Sequence, residues 1–314
     1  MHPLLIVLLA LTACAGGLWL YTFVTARRVE AMLPPLGRFV DVPGARLHVV
    51  EKGQGRPLLL IHGLAGQLCH FTYGVVDLLA TRYRVIAVDR PGSGYSVRQP
   101  GASAALYAQA DAMAALIDAL QLDRPVVVGH SLGGTLALAL AQRHPQRVSA
   151  LALVAPLTHT PKELSPAFKG LVITRPWLRH LVAWTLALPV TMAQRDAILG
   201  IVFGPEAVPA DFATRGGGLL AVRPSHFVAA STDLAAIMQD LPTIESRYPE
   251  MQLPVGVLYG RGDGILDPNV QGQGLVDRLP GARLELIDGG HMLPITAPGR
   301  TADFILDIAE RAPH

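Results

Sequence analysis

At Gly129-His130-Ser131-Leu132-Gly133 a serine has one glycine two residues before it and another two residues after it. A β-branched apolar run precedes this stretch and a helix-forming one follows. One reading is plain: the glycines make a turn and Ser131 caps the helix. The other is chemical. A sharp strand-to-helix turn exposes the serine hydroxyl, and Gly129 and Gly133 let strand and helix approach closely enough to form it. A serine hydroxyl is a poor nucleophile until a base takes its proton, and an imidazole base needs a carboxylate to fix its tautomer. The required types follow in order as Asp263 and His291. Asp263 lies three residues past Gly260, at the expected end of a strand, where a short turn can aim it at a histidine on the neighbouring loop. Asp267, directly before Pro268, is biased toward a turn and reads as a helix cap. His291 follows Gly289-Gly290 after the last strand and reads as the base rather than as a turn histidine.

The elements that must hold these residues are legible in the pattern of apolar runs. Arg38 to Val42 and Arg46 to Val50 alternate around Pro43-Gly44, as a hairpin does. Leu58–Ile61, Val85–Val88, Val126–Val128, Leu151–Val154, Val255–Tyr259 and Leu284–Ile287 are short continuous apolar runs. Helical stretches are expected over Ala104–Leu120, Leu132–Arg143 and Arg300–Glu310. Such strands separated by helices predict an α/β fold, a mostly parallel sheet covered on both faces. The rhythm stops at Pro156, and from Thr158 to about Gln252 only helix-like pieces broken by prolines appear. An insertion of that size is a cap rather than a loop. Trp177, Trp184, Phe203, Phe212 and Phe227 within it are read either as pocket lining or as the cap's own core. Open parallel sheets gather ligands at the carboxyl ends of their strands, which places His62-Gly63-Leu64, Asp89, Ser131, Asp263 and His291 at one rim. Asp89, in a glycine-rich loop, is expected to hydrogen-bond that loop.

Composition narrows the classes. The chain has 314 residues, is 51% hydrophobic and 16% charged, and carries a net charge of +2, with no basic stripe suited to nucleic acid. Cys14 and Cys69 are its only cysteines, too few for a disulfide framework, and no metal-ligand spacing appears. Pro3 to Val24 is free of charge, and its 22 residues make a helix ~33 Å long, enough to cross a bilayer. The run is longer than a signal peptide's apolar region and lacks a basic residue before it. Leu11-Thr12-Ala13-Cys14 is a competing signal, similar to a lipidation site at Cys14, but the apolar run continues ten residues beyond it. Residues 1–28 are therefore read as a single-pass membrane anchor. Arg27 and Arg28 just after the apolar run put the domain that follows on the cytoplasmic side.

The chain resembles the α/β-hydrolase fold serine hydrolases over about residues 37 to 312. LLLIHGLAG resembles their oxyanion loop, VIAVDRPGSGYS the loop after the following strand, and GHSLGG the nucleophile elbow. VLYGRGDGILDP resembles the segment carrying the acid and DGGHMLP the one carrying the histidine. Relatives usually follow the acid with two apolar residues and proline, whereas this chain inserts Asp267 before Pro268. The resemblance implies catalysis by Ser131, Asp263 and His291, with an oxyanion hole from the backbone amides of Leu64 and Leu132. It also implies that His62 and Gly63 support the oxyanion loop, and it requires no cofactor and no metal. The domain boundaries that follow are 37–156 and 253–312 for the hydrolase core and 157–252 for a helical cap. A serine nucleophile argues against epoxide hydrolase and haloalkane dehalogenase chemistry. The expected reaction is cleavage of a carboxylic ester of a small hydrophobic acyl substrate. The same machinery serves thioesters, amides, carbon–carbon bonds and cofactor-free perhydrolysis. A non-catalytic binding protein on this scaffold is the alternative of another class.

Overall fold

The computed structural model describes residues 2–313. Its sheet is built from β1 (Arg38–Val42), β2 (Ala45–Lys52), β3 (Pro57–Ile61), β4 (Arg84–Val88), β5 (Val97–Arg98), β6 (Val126–His130), β7 (Ala150–Val154), β8 (Val255–Gly260) and β9 (Arg283–Ile287). The spatial order is β1-β2-β4-β3-β6-β7-β8-β9, with the short β5 on β2. β1 and β2 form the expected antiparallel hairpin, Val42 facing Ala45 across Pro43-Gly44. From β4 to β9 every pairing is parallel.

Parallel strands carry two buried faces, which explains their unbroken apolar sequences. Side chains alternate between faces along a strand. Leu59 and Ile61 of β3 accordingly enter one core, with Val127, Leu151 and Leu153. Leu58 and Leu60 enter the other, with Val126, Val128 and Ala152. Helices α2 (Leu106–Ala119) and α3 (Leu132–Arg143) cover the first face through Leu116, Leu136 and Leu140. The C-terminal helix, which we number α7 (Pro298–Arg311), covers the second through Phe304, Ile305 and Ile308. A buried leucine or isoleucine contributes about 1.5–3 kcal/mol, so each face is a continuous source of stability.

Strand β3 lies between β4, which follows it in the chain, and β6, reached after α2. The connection out of β3 runs to β4 on one side and the connection out of β6 runs to β7 on the other, so the chain reverses between β3 and β6. The crevice at such a reversal, outside the carboxyl ends of the strands, is where open α/β sheets bind ligands. The loop after β3 and the turn after β6 meet there, bringing His62-Gly63-Leu64 next to Ser131.

Between β7 and β8 the described residues hold helices and turns and no strand, including α4 (Pro176–Trp184), α5 (Ala187–Phe203) and α6 (Pro224–Ser246). This inserted segment is fastened to the sheet by an ion cluster in which Arg90 and Asp233 are fully buried and Arg98 partly so. Asp233 of α6 accepts from Arg90 at 2.6 Å and from Arg98 at 2.6 Å.

The first helix, α1, runs Pro3–Met32, beyond the apolar run and beyond Arg28. Its last turns are amphipathic: Thr22, Ala26 and Val29, spaced four and three residues apart, are buried. Glu30 pairs with Arg223 of the inserted segment at 3.7 Å, and the Tyr95 hydroxyl bonds the Leu33 carbonyl. The helix is thus tied to the folded domain by its C-terminal turns.

Candidate active site

Strand β6 passes into α3 through Ser131, whose backbone sits at φ 54°, ψ −121°. A non-glycine residue in such a region costs of order 1–3 kcal/mol and persists only when its surroundings fix it. Three backbone bonds do so. The Ser131 amide donates to the Val154 carbonyl at 3.0 Å, while its carbonyl accepts from Gly134 at 2.8 Å and from Leu157 at 3.1 Å. A Cβ on Gly133 would stand 2.0 Å from the Ile61 carbonyl oxygen, and one on Gly129 would stand 2.4 Å from that of Gly133. Only glycine allows these approaches. The Ser131 side chain makes no capping hydrogen bond, so the plain reading of a helix-cap serine is set aside.

The loop after β3 crosses directly over the serine. A Cβ on Gly63 would lie 2.9 Å from Ser131 Cβ and 3.4 Å from its Oγ. His62 makes two bonds, its Nδ1 donating to the Gly63 carbonyl at 2.9 Å and its Nε2 accepting the Arg90 amide at 3.0 Å. Burial holds its pKa well below the usual histidine value, so it stays neutral, as this donor–acceptor pair requires. Arg90 grips the same loop, donating to the carbonyls of His62 and Gly63 at 3.1 Å each. In a trans peptide the carbonyl and the next amide point in opposite directions. With the Gly63 carbonyl drawn to Arg90, the Leu64 amide faces away from Arg90. Among the described residues no protein group accepts from the Leu64 or Leu132 amide. Leu132 stands at the start of α3, where amides are unpaired and the helix dipole favours negative charge.

Asp263 and His291 come from the loops after β8 and β9. Asp263 Oδ2 lies 2.7 Å from His291 Nδ1, and its Oδ1 accepts the amides of Ile265 at 2.8 Å and Leu266 at 2.9 Å. Its carboxylate is fully buried and fully partnered. Because Nδ1 meets the carboxylate, Nε2 is the ring nitrogen left for proton transfer. Asp267 does not reach His291; it is exposed and its Oδ1 accepts the Asn269 amide at 2.9 Å, capping the turn that follows. Ser131 and His291 line one cavity of about 420 Å³. The rest of its wall is mostly apolar, including Leu64, Val182, Val190, Ile198, Leu199 and Phe227.

Asp89 stands one loop away. Its Oδ1 accepts the Leu68 amide at 2.8 Å, its Oδ2 accepts the Tyr95 amide at 2.9 Å, and His48 Nδ1 approaches that Oδ2 at 2.7 Å. It organises the loops beside the cavity rather than touching His291. Of the five aromatics named in the inserted segment, Phe212 and Phe227 line the cavity. Phe203 is in a small core with Phe212, Met292 and Ile295, Trp177 is exposed, and Trp184 stacks on Trp19 of α1.

Several supports are absent from the sequence reading. Glu206 receives the Gly290 amide at 3.1 and 3.0 Å, tying the His291 loop to the inserted segment. Gln67 donates to the Gly216 and Gly217 carbonyls at 3.2 and 2.6 Å. His130, directly before the serine, packs its ring 5.0 Å from that of His291 and donates from Nε2 to the His291 carbonyl at 3.0 Å. Arg90, a charged residue two positions past an apolar strand, and Asp233, a lone acid in the small-residue helix AASTDLAAIM, each stand out in the sequence, but nothing in it pairs them.

A profile of the alpha/beta hydrolase fold matches residues 56–298. An uncharacterized protein of Mycobacterium tuberculosis is 30% identical over 298 residues, covering 91% of this chain and 83% of its own length. A 2-hydroxymuconate semialdehyde hydrolase of a Pseudomonas strain is 38% identical over 123 residues, 38% of this chain and 44% of that protein. The crystal structure of an alpha/beta hydrolase fold protein from Burkholderia ambifaria superposes with a TM-score of 0.73 at 25% identity, over 88% of this chain and 98% of that one. The chain belongs to the α/β-hydrolase fold family, and it is an enzyme of the hydrolase kind.

Proposed function

We propose that the protein is a membrane-anchored serine hydrolase that cleaves a carboxylic ester of a hydrophobic acyl substrate through an acyl-enzyme. The observation that carries this reading is the strained, uncapped Ser131 sharing one apolar cavity with a histidine held by a buried carboxylate. Ser131 Oγ attacks the ester carbonyl as His291 Nε2 takes its proton, and Asp263 stabilises the imidazolium. The carbonyl oxygen gains negative charge and receives the Leu64 and Leu132 amides, each worth about 2.7–4 kcal/mol in a water-excluded site. The alcohol then leaves with the proton from His291. Water attacks the acyl-enzyme by the same route, restoring Ser131 and releasing the acid.

In this reading residues 37–156 and 253–312 form the hydrolase core, 157–252 the cap and 1–28 the membrane anchor. The long apolar α1 supports the anchor. The bias of Arg27 and Arg28 puts the enzyme in the cytoplasm, and digestion of the domain by protease added to intact cells would overturn that placement. The named Pseudomonas relative favours one second reading, hydrolysis of a carbon–carbon bond by the same serine. A panel of 4-nitrophenyl esters of rising chain length tests the first reading against it. Ester turnover that increases with acyl length and disappears in Ser131→Ala supports ester hydrolysis. No turnover of any ester, with hydrolysis of 2-hydroxymuconate semialdehyde, would replace it.

A further inference from the structure

Helix α1 is exposed throughout from Pro3 to Gly17; Leu18 is its first half-buried residue, and Trp19 meets the inserted segment at Trp184. Those fifteen residues rise ~22 Å at ~1.5 Å per residue. The hydrocarbon core of a bilayer is about 30 Å thick and needs about 20 helical residues. About five more residues of α1 must therefore enter it. They include Trp19, whose ring stacks on Trp184 at the end of α4 with centroids 5.9 Å apart. Any tilt of α1 lengthens the requirement. A spanning α1 cannot hold Trp19 in the bilayer and leave Trp184 in water.

The surface next to Trp184 suits that depth. Trp177, Leu181 and Trp184 fall four and three residues apart, one stripe of α4. Trp177 is 60% exposed, Leu181 51% and the preceding Val172 61%. Arg179, the cation within α4, points the other way and bonds Ser231 at 2.8 Å. Leu186 and Val190, where the chain turns into α5, are exposed and also line the cavity that holds Ser131. Lys169 and Arg175 precede the stripe in sequence, both exposed and suited to lipid phosphates. The rim of the cavity is thus part of an apolar face continuous with the anchor.

We propose that the α4–α5 face lies in the lipid bilayer beside α1, so that the cavity receives an acyl lipid from the hydrocarbon rather than from water. The inference rests on the anchor reading above, and the two can fail separately. The chain has three tryptophans, Trp19, Trp177 and Trp184. The full-length protein, reconstituted into phosphatidylcholine vesicles with brominated acyl chains, is compared in two forms. One is Trp177→Phe with Trp184→Phe, reporting Trp19; the other is Trp19→Phe with Trp184→Phe, reporting Trp177. Quenching of both fluorophores is the expected result. Trp19 quenched with Trp177 unquenched overturns the inference and leaves the anchor standing. Neither quenched overturns the anchor and the inference together. A second measurement uses Val172→Gln with Leu181→Gln, positions outside the cavity wall. Hydrolysis of a long-chain 4-nitrophenyl ester dissolved in vesicles should fall about tenfold, while hydrolysis of 4-nitrophenyl acetate in water is unchanged. Equal rates for variant and parent on both substrates would overturn the inference.

Discussion

Ser131 keeps its backbone at φ 54° because its amide and carbonyl are both engaged, not because its side chain holds the turn. Removing the hydroxyl should therefore leave the fold alone. Ser131→Ala is expected to melt within a degree or two of the parent and to lose activity by a factor on the order of 10⁴–10⁶, as when a catalytic unit loses its nucleophile. The two aspartates separate by their partners. Asp263 is buried against His291, whereas Asp267 is exposed and caps a turn. Asparagine at the true acid supports the wrong imidazole tautomer, which in a serine protease lowers turnover about 10⁴-fold. Asp263→Asn should fall by several orders of magnitude. Asp267→Asn should lose less than about tenfold, since asparagine caps nearly as well as aspartate. Steady-state kinetics on one ester for both variants checks the pair, and the reverse order would make Asp267 the acid.

Element by element, the sheet was legible and so was the strandless, helical character of the inserted segment, but not where its helices begin. The parallel strands are short runs in which both faces are buried, so Leu58–Ile61 and Val126–Val128 announce themselves without any alternation. The helices over 106–119, 132–143 and 298–311 likewise fall where their spacing predicts. In the inserted segment prolines look like breakers, yet Pro176 and Pro224 occupy the first turns of α4 and α6, where a missing amide costs nothing. The candidate site was legible through residue types at strand ends. Its supports were not, because their partners lie far along the chain: Arg90 with Asp233, Gly290 with Glu206, Gln67 with Gly217. The same cluster makes an element-scale prediction. Arg90 and Asp233 are fully buried, so cutting one partner strands the other's charge. Asp233→Ala should cost about 3–5 kcal/mol, read as a lower midpoint in urea with little change of slope. A midpoint equal to the parent's would mean that α6 is not held through this cluster.

Over the whole molecule, histidines buried in neutral form set the response to acid. Burial lowers the pKa of His70 to about 4 and of His226 to about 3, and holds His62 and His130 well below the usual value. Each has its folded-state pKa below its unfolded one of about 6.5. Above that value both states are neutral and these groups add no pH dependence. Below it the unfolded chain binds protons that the folded one refuses, so stability falls as pH falls. Each histidine contributes a slope of up to about 1.4 kcal/mol per pH unit until its folded pKa is reached. Denaturation midpoints should be level from pH 8 to about 7 and drop steeply between about 6 and 4. Phenylalanine at His226, whose ring nitrogens have no hydrogen-bond partner of good geometry among the described residues, should make that drop shallower. An unchanged slope would remove His226 from the acid response.

The most direct test of Ser131 as an activated nucleophile is covalent. A fluorophosphonate probe reacts with a serine only where a base removes the hydroxyl proton and oxyanion donors receive the phosphoryl oxygen. Intact-mass and peptide mass spectrometry of the treated full-length protein should show one adduct, on Ser131, absent from Ser131→Ala and strongly slowed in Asp263→Asn. An unmodified protein, or an adduct that persists on another residue in Ser131→Ala, would contradict the mechanism.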